Sequence, residues 1–169
     1  MTSTLHPSPA ATERVVVLVP TCNPGPRWAD FLQALAAQQP HWRTVVVDSE
    51  SVDGSAERAQ DAGLTVQRIV RAQFNHGATR QQALEHHAAD AGWVVFMTQD
   101  AVLAEPQAIA RLLQTFDDPR VAAAYGRQLP HPEASPIAAH ARLFAPMVAQ
   151  GALEPGMELF SARRFASPA

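Results

Sequence analysis

The chain has 169 residues and a formal net charge of −3, a size that suits one ordinary domain with a single hydrophobic core. Charged residues make up 17% and no run of lysine and arginine is present, so we expect no nucleic-acid partner. Cys22 is the one cysteine, which excludes an intrachain disulfide and a cysteine-rich zinc site.

The chain begins with a segment that we expect to be a disordered leader, residues 1–12. It contains Pro7 and Pro9 and lacks the basic and apolar regions of a signal peptide. The apolar runs are far shorter than the roughly 20 residues of a bilayer span. We therefore expect a cytoplasmic protein whose membrane association, if any, is peripheral at the inner face of the membrane.

Predicted strands and helices alternate along the rest of the chain. The strands are short and apolar: Val15–Val19, Val45–Val47, Leu64–Val70, Trp93–Met97 and Val121–Tyr125. The helices follow them: Arg27–Gln38, Ser55–Ala62, Ala78–Asp90, a helix from near Pro106 to Phe116, and Ile137–Ala145. This alternation with short connections predicts an α/β fold, a doubly wound, mostly parallel sheet with helices on both faces. It spans residues 13–149, and residues 150–169 are predicted to be an irregular tail.

Polar residues follow the first four predicted strands, where each strand ends. They are Thr21 to Asn23, Asp48 with Ser49, Asn75 with His76, and Gln99 with Asp100. Open α/β sheets bind ligands at the carboxyl ends of their strands, so the pattern predicts a site for an extended polar ligand. The glycine-rich dinucleotide fingerprint and the phosphate loop are both absent, which argues against nicotinamide and P-loop chemistry.

Five segments carry a family resemblance: Val16–Asn23, Val45–Ser55, Phe74–Arg80, Phe96–Ala101, and Tyr125–Pro130 with Ala134–Pro136. Together they resemble glycosyltransferase family 2, and its rhamnosyltransferase-like branch in particular. The resemblance covers residues 14 to 144. It implies the GT-A fold of nucleotide-diphospho-sugar transferases, incomplete at the C-terminal end, and an inverting, metal-assisted sugar transfer of which this chain carries the donor-binding half.

The resemblance also implies roles for residues at the nucleotide end of the site. Asp48 would accept the imide N–H of uracil or thymine, and the main chain at Thr21, beside Pro20, would hold the base. Asn23 is placed near the donor too, although turn formation alone explains an asparagine there. Turn formation is also the alternative for Asp48, and an ordinary loop position is the alternative for Thr21.

Two further donor contacts are implied at the next helix. Arg80 would contact the base or the diphosphate; its expected place in the first helical turn is unfavourable for a cation and calls for such a reason. A solvated surface arginine is the alternative. His76 would face the donor or only the turn, and we assign it neither as a metal ligand nor as a base.

The resemblance places the metal at Asp100. A carboxylate-bound Mg²⁺ or Mn²⁺ would neutralise the diphosphate leaving group; capping of the helix near Glu105 is the alternative. Gln99 stands where the family more commonly has an aspartate that reaches ribose hydroxyls. An amide is the weaker partner for a 2′-hydroxyl, which favours dTDP-rhamnose as the donor, with a UDP-sugar as the alternative.

The general base of the family is not recognisable in this chain, so no catalytic residue is assigned. Glu154 and Glu158 are carboxylates without the surrounding motif. The acceptor expected from the resemblance is a glycan or a lipid-linked sugar. Two other functions stay open, a non-catalytic nucleotide-sugar-binding or assembly module and a nucleotidyltransferase. An incomplete sheet would expose an edge, so we expect self-association of the isolated chain.

Overall fold

A computed structural model describes residues 14–118, 120–126, 129–130, 134–137, 139–140 and 160–164, the last of these as backbone only. The predicted leader, residues 1–12, lies outside the described residues. So does most of the predicted helix Ile137–Ala145.

A six-stranded sheet organises the described chain, in the order β3-β2-β1-β4-β6-β5. The strands are β1 (Val15–Thr21), β2 (Arg43–Asp48), β3 (Thr65–Arg68), β4 (Trp93–Met97), β5 (Ala123–Tyr125) and β6 (Phe160–Arg164). The first four run parallel to one another, whereas β6 runs antiparallel to both of its neighbours, β4 and β5. The mostly parallel sheet that the sequence predicts is therefore confirmed.

The first strand is apolar at every position from Val15 to Val19 because the sheet is covered on both faces. Successive side chains of a strand point to opposite faces. Val15, Val17 and Val19 accordingly belong to one core cluster, while Val16 and Leu18 belong to the other. A continuous apolar run is what a strand buried on both sides requires.

Helices cover the two faces unequally. The helices are α1 (Trp28–Ala36), α2 (Ser55–Asp61), α3 (His76–His87) and α4 (Ala108–Gln114), with 3-10 turns at Arg71–Gln73 and Thr115–Asp117. Apolar residues of α1, α2 and α4 pack in the first cluster, and those of α3 in the second. Trp28 joins α1 to α2: its ring stacks on Phe31 at 4.8 Å and its Nε1–H donates to the Ser55 carbonyl at 2.9 Å.

The structure differs from several of the sequence-based boundaries, and three of the differences have a clear physical cause. Helix α3 begins at His76 instead of Ala78, because the Asn75 side chain caps it by accepting hydrogen bonds from the amides of Gly77 and Ala78. Strand β3 is shorter than the predicted strand Leu64–Val70, because it lies at the edge of the sheet and pairs only with β2. The tail predicted to be irregular, residues 150–169, contains strand β6. Its pairing partners lie far away in the sequence, so local periodicity gives no signal for it.

The helices of the described residues are short. None of them combines the length and the apolar character needed to cross a bilayer.

Candidate functional site

Three strand ends meet side by side at one edge of the sheet. Strand β1 lies between β2 and β4 and runs parallel to both. The exits of these strands therefore share the carboxyl edge, and Asp48 and Asp100 lie on either side of the β1 exit. Thr21 and Asp48 are register partners at the ends of β1 and β2, one position after the Pro20–Val47 pair. The placement on a common edge agrees with the expectation from the sequence.

Asp48 is a buried carboxylate that also lines a surface cavity. The residue is 1% exposed. Its Oδ2 accepts the Ser51 N–H at 3.0 Å, and its Oδ1 lies 3.4 Å from the Thr21 hydroxyl, which donates to it. The cavity, of about 500 Å³, is bounded by Asp48, Glu50, Ser51, Val52, Arg68 and Arg71. Asp48 thus shapes its turn and at the same time borders the cavity.

Arg71 is a site residue that the sequence reasoning missed. Its guanidinium donates to the Glu50 carbonyl at 3.1 Å, and its main-chain N–H donates to the Glu50 carboxylate at 3.0 Å. Glu50 has a positive φ of 52°, a conformation that costs energy for a side chain of this kind. Arg71 therefore holds the loop after β2 in shape. The sequence feature that could have revealed it is a cationic residue directly after the third predicted strand, at the ligand-binding edge of the sheet.

The loop after β1, residues 22–25, is hydrogen-bonded to both neighbouring exits. Toward β4, the Cys22 N–H donates to Gln99 Oε1 at 2.7 Å, and Gln99 Nε2–H donates to the Cys22 carbonyl at 3.3 Å. Toward β2, the Asn23 N–H donates to Ser51 Oγ and the Val52 N–H donates to Asn23 Oδ1, both at 2.8 Å. The side-chain amides of Gln99 and Asn23, both expected to contact the donor, thus form hydrogen bonds with main-chain groups.

Asp53 completes the connection between these loops in a structural role. Its carboxylate accepts the Ser55 N–H at 3.1 Å and the Gly25 N–H at 3.3 Å. Burial on its own would raise the pKa of Asp53. The hydrogen bonds from Ser55 and Gly25 and the nearby charge of Arg58 outweigh it, so the pKa is lowered from its usual value.

The start of α3 presents His76 and Arg80 near this edge. His76 is exposed, and its ring meets that of Phe74 edge-on at 4.9 Å. Arg80 lies in the second helical turn, because the helix begins at His76; the expectation of a first-turn position was wrong. Its Nη1–H donates to the His76 carbonyl at 3.1 Å, while its buried Nε has no hydrogen-bond partner among the described residues.

Asp100 is exposed in a tight turn after β4. The Val102 N–H donates to the Asp100 carbonyl at 3.2 Å, and the Ala101 N–H donates to the Thr98 carbonyl at 3.1 Å. No group of three or more histidine, cysteine or acidic side chains in the described part of the chain could hold a metal. A single free carboxylate fits Mg²⁺ or Mn²⁺ held mainly by phosphate oxygens and waters, and does not fit an all-protein metal site.

Comparison with solved structures identifies the fold. The chain superimposes on a mannosyltransferase from Pyrobaculum calidifontis, solved with GDP-Man and Mn²⁺, with a TM-score of 0.64, 21% identity and coverage of 89% of this chain and 44% of that one. A glucosyl-3-phosphoglycerate synthase from Mycobacterium tuberculosis, solved with UDP, gives 0.63 at 17% identity, covering 92% and 58%. The architecture is that of the GT-A glycosyltransferases, present here as a partial domain.

Sequence comparison identifies the family. The model of glycosyl transferase family 2 matches residues 16–164, and the chain belongs to that family. It is similar to the O-antigen chain rhamnosyltransferase RfbN of Salmonella typhimurium, with 40% identity over 133 residues, which is 78% of this chain and 42% of that protein. The chain thus spans about two-fifths of the length of this relative. The family resemblance inferred from the five sequence segments is confirmed.

Proposed function

We propose that the chain binds a nucleoside-diphosphate sugar at the carboxyl edge of its sheet and serves as the donor-binding part of an inverting glycosyltransferase. The observation that carries the proposal is the placement of Asp48 and Asp100 on either side of the β1 exit. An acceptor for a base and a ligand for a cation then lie along one edge, as an extended nucleotide sugar requires.

The nucleobase would lie in the cavity beside Asp48. Uracil and thymine carry one imide N–H, and a carboxylate is its strong hydrogen-bond acceptor. The fold holds Asp48 in place through the Ser51 N–H and the Thr21 hydroxyl, so this acceptor is fixed before the nucleotide arrives. Fixing it in advance reduces the entropy lost on binding.

The diphosphate would lie toward Asp100 and Arg80. Asp100 would hold Mg²⁺ or Mn²⁺, and the ion, when bound, stabilises the negative charge that develops on the leaving diphosphate. The mannosyltransferase solved with Mn²⁺ supports the use of a divalent cation. The partly exposed guanidinium of Arg80 would offer a hydrogen bond to an oxygen of the donor.

The similarity to an O-antigen chain rhamnosyltransferase supports rhamnose as the sugar. We therefore propose dTDP-rhamnose as the donor and a glycan or lipid-linked sugar as the acceptor. The transfer would take place in the cytoplasm, at the inner face of the membrane when the acceptor is lipid-linked. No general base is assigned among the described residues.

Calorimetry on the purified chain tests the donor site. We expect dTDP to bind in the presence of Mn²⁺, to bind more weakly in EDTA, and to bind more tightly than UDP, with ADP as the purine control. Equal affinity for dTDP and ADP, or no nucleotide binding with either metal, would overturn the proposal. An assay of dTDP-rhamnose turnover then separates an active transferase from a non-catalytic binding module, since only the former consumes the donor.

A further inference from the structure

We infer that Gln99 is a positioning residue, which fixes the loop after β1 for nucleotide binding and does not itself read the ribose. The consequence for nucleotide binding rests on the proposed function, whereas the contact between Gln99 and Cys22 does not. Both polar atoms of the Gln99 amide are engaged with one peptide unit: Oε1 accepts from the Cys22 N–H and Nε2–H donates to the Cys22 carbonyl. The two residues are 77 positions apart in the sequence.

An amide side chain is chemically suited to this contact, whereas a carboxylate is not. A peptide unit offers one donor and one acceptor, and glutamine offers the complementary pair. An ionised aspartate or glutamate only accepts, so it would satisfy the Cys22 N–H and leave the Cys22 carbonyl facing a negative charge. The glutamine at position 99 is therefore explained by its main-chain partner, without reference to a ribose hydroxyl.

The contact matters because the loop leads directly into the base end of the site. Cys22 follows Thr21, whose hydroxyl donates to Asp48 and whose carbonyl accepts the Ser49 N–H at 2.8 Å. On its other side the loop is tied to the β2 exit through Asn23, which has a positive φ of 45°. A loop held at both ends transmits a disturbance at Cys22 to Thr21, and so to the proposed base contact.

Cys22 makes the inference testable without any nucleotide. It is the one cysteine of the chain and is partly exposed, so its alkylation rate reports on this loop alone. Gln99→Glu keeps the size of the side chain and removes the donor to the Cys22 carbonyl. We expect alkylation of the nucleotide-free variant to be about tenfold faster, the factor expected from the loss of one hydrogen bond. Gln99→Met, which is uncharged and loses both hydrogen bonds, should give an increase at least as large.

The matched control is Gln60→Glu, which makes the same charge change on an exposed residue near the end of α2, at the opposite edge of the sheet. Its alkylation rate should equal that of the unsubstituted chain. An unchanged rate in both Gln99 variants would overturn the inference, and unfolding midpoints measured alongside show whether each variant is folded. If either variant fails to fold, slow hydrogen exchange of the Cys22 amide in the unsubstituted chain supports the contact, and fast exchange overturns it.

Nucleotide binding supplies the second test. If Gln99 acts through the loop, its substitution should weaken the binding of dTDP and of UDP by the same factor. The two nucleotides differ at the ribose 2′-position and in the thymine methyl group, and a residue that acts through the loop contacts neither. Unequal losses would point to direct reading of the nucleotide and overturn the inference. Faster alkylation in a chain that binds no nucleotide would support the loop contact and count against the proposed function, so the two failures are distinguishable.

Discussion

Replacement of Asp48 by asparagine tests the proposed base contact with little change to the fold. The asparagine retains one oxygen, which can accept the Ser51 N–H as Asp48 does now at 3.0 Å. Its nitrogen then faces Thr21, whose hydroxyl can act as an acceptor as well as a donor. The turn after β2 is thus preserved, while the negative charge at the cavity is lost.

The expected effect follows from the type of hydrogen bond that is lost. A hydrogen bond to a charged group contributes about 1.5–3 kcal/mol, and about 1.4 kcal/mol corresponds to a tenfold change in affinity. We therefore expect dTDP to bind Asp48→Asn roughly ten- to a hundredfold more weakly than it binds the unsubstituted chain. Because Asp48 is only 1% exposed, water replaces the lost interaction poorly, which favours the upper part of this range.

Calorimetry with dTDP and CDP in the presence of Mn²⁺ measures the effect. Cytosine has an acceptor nitrogen in place of the imide N–H, so CDP should lose no affinity in the variant. The affinity for CDP relative to that for dTDP should therefore rise. Asp61→Asn serves as the control, since Asp61 is an exposed acid at the end of α2. Equal weakening of dTDP and CDP, with unchanged unfolding, would refute the assignment of Asp48 to the base.

Three other substitutions test the metal, the cap and a partly buried histidine. Asp100→Asn should abolish the Mn²⁺-dependent gain in dTDP affinity and leave the affinity in EDTA unchanged; a retained gain places the metal elsewhere. Asn75→Ala should lower the free energy of unfolding by about 1 kcal/mol, through loss of the α3 cap, whereas Asn75→Ser should retain most of it. Burial, His86 and Arg43 lower the pKa of His87 from 6.5, so the unfolded chain binds this proton more readily and acidification through about pH 6.5 destabilises the fold. In urea titrations His87→Gln should reduce that loss, and equal losses in both proteins would contradict the assignment.

The central strands could be predicted because they are buried on both faces. Strand β4 has the predicted limits, Trp93–Met97, and β1 extends the predicted run by two residues to Thr21. Such strands show as continuous apolar segments. Strand β6 could not be predicted in this way, because its place between β4 and β5 is set by pairing with distant residues.

The candidate site was predictable in position but only partly in detail. The shared edge of Asp48 and Asp100 follows from parallel strands, and the structural role of Asp53 follows from turn chemistry. The main-chain contacts of Gln99 and Asn23 follow from neither. An amide that binds a peptide unit 77 residues away leaves no spacing or periodicity in the sequence, so the sequence predicted only donor contacts for these two residues.

The place of β6 in the sheet has a consequence for synthesis on the ribosome. Strand β5 pairs with β6 and follows β4 in the chain, yet β6 separates the two in the sheet. Until residues 160–164 have left the exit tunnel, β4 has one unpaired side and β5 has no partner within the described sheet. An apolar strand edge that stays open during elongation is prone to pair with other nascent chains. Chaperone demand should therefore fall sharply once this late segment has emerged.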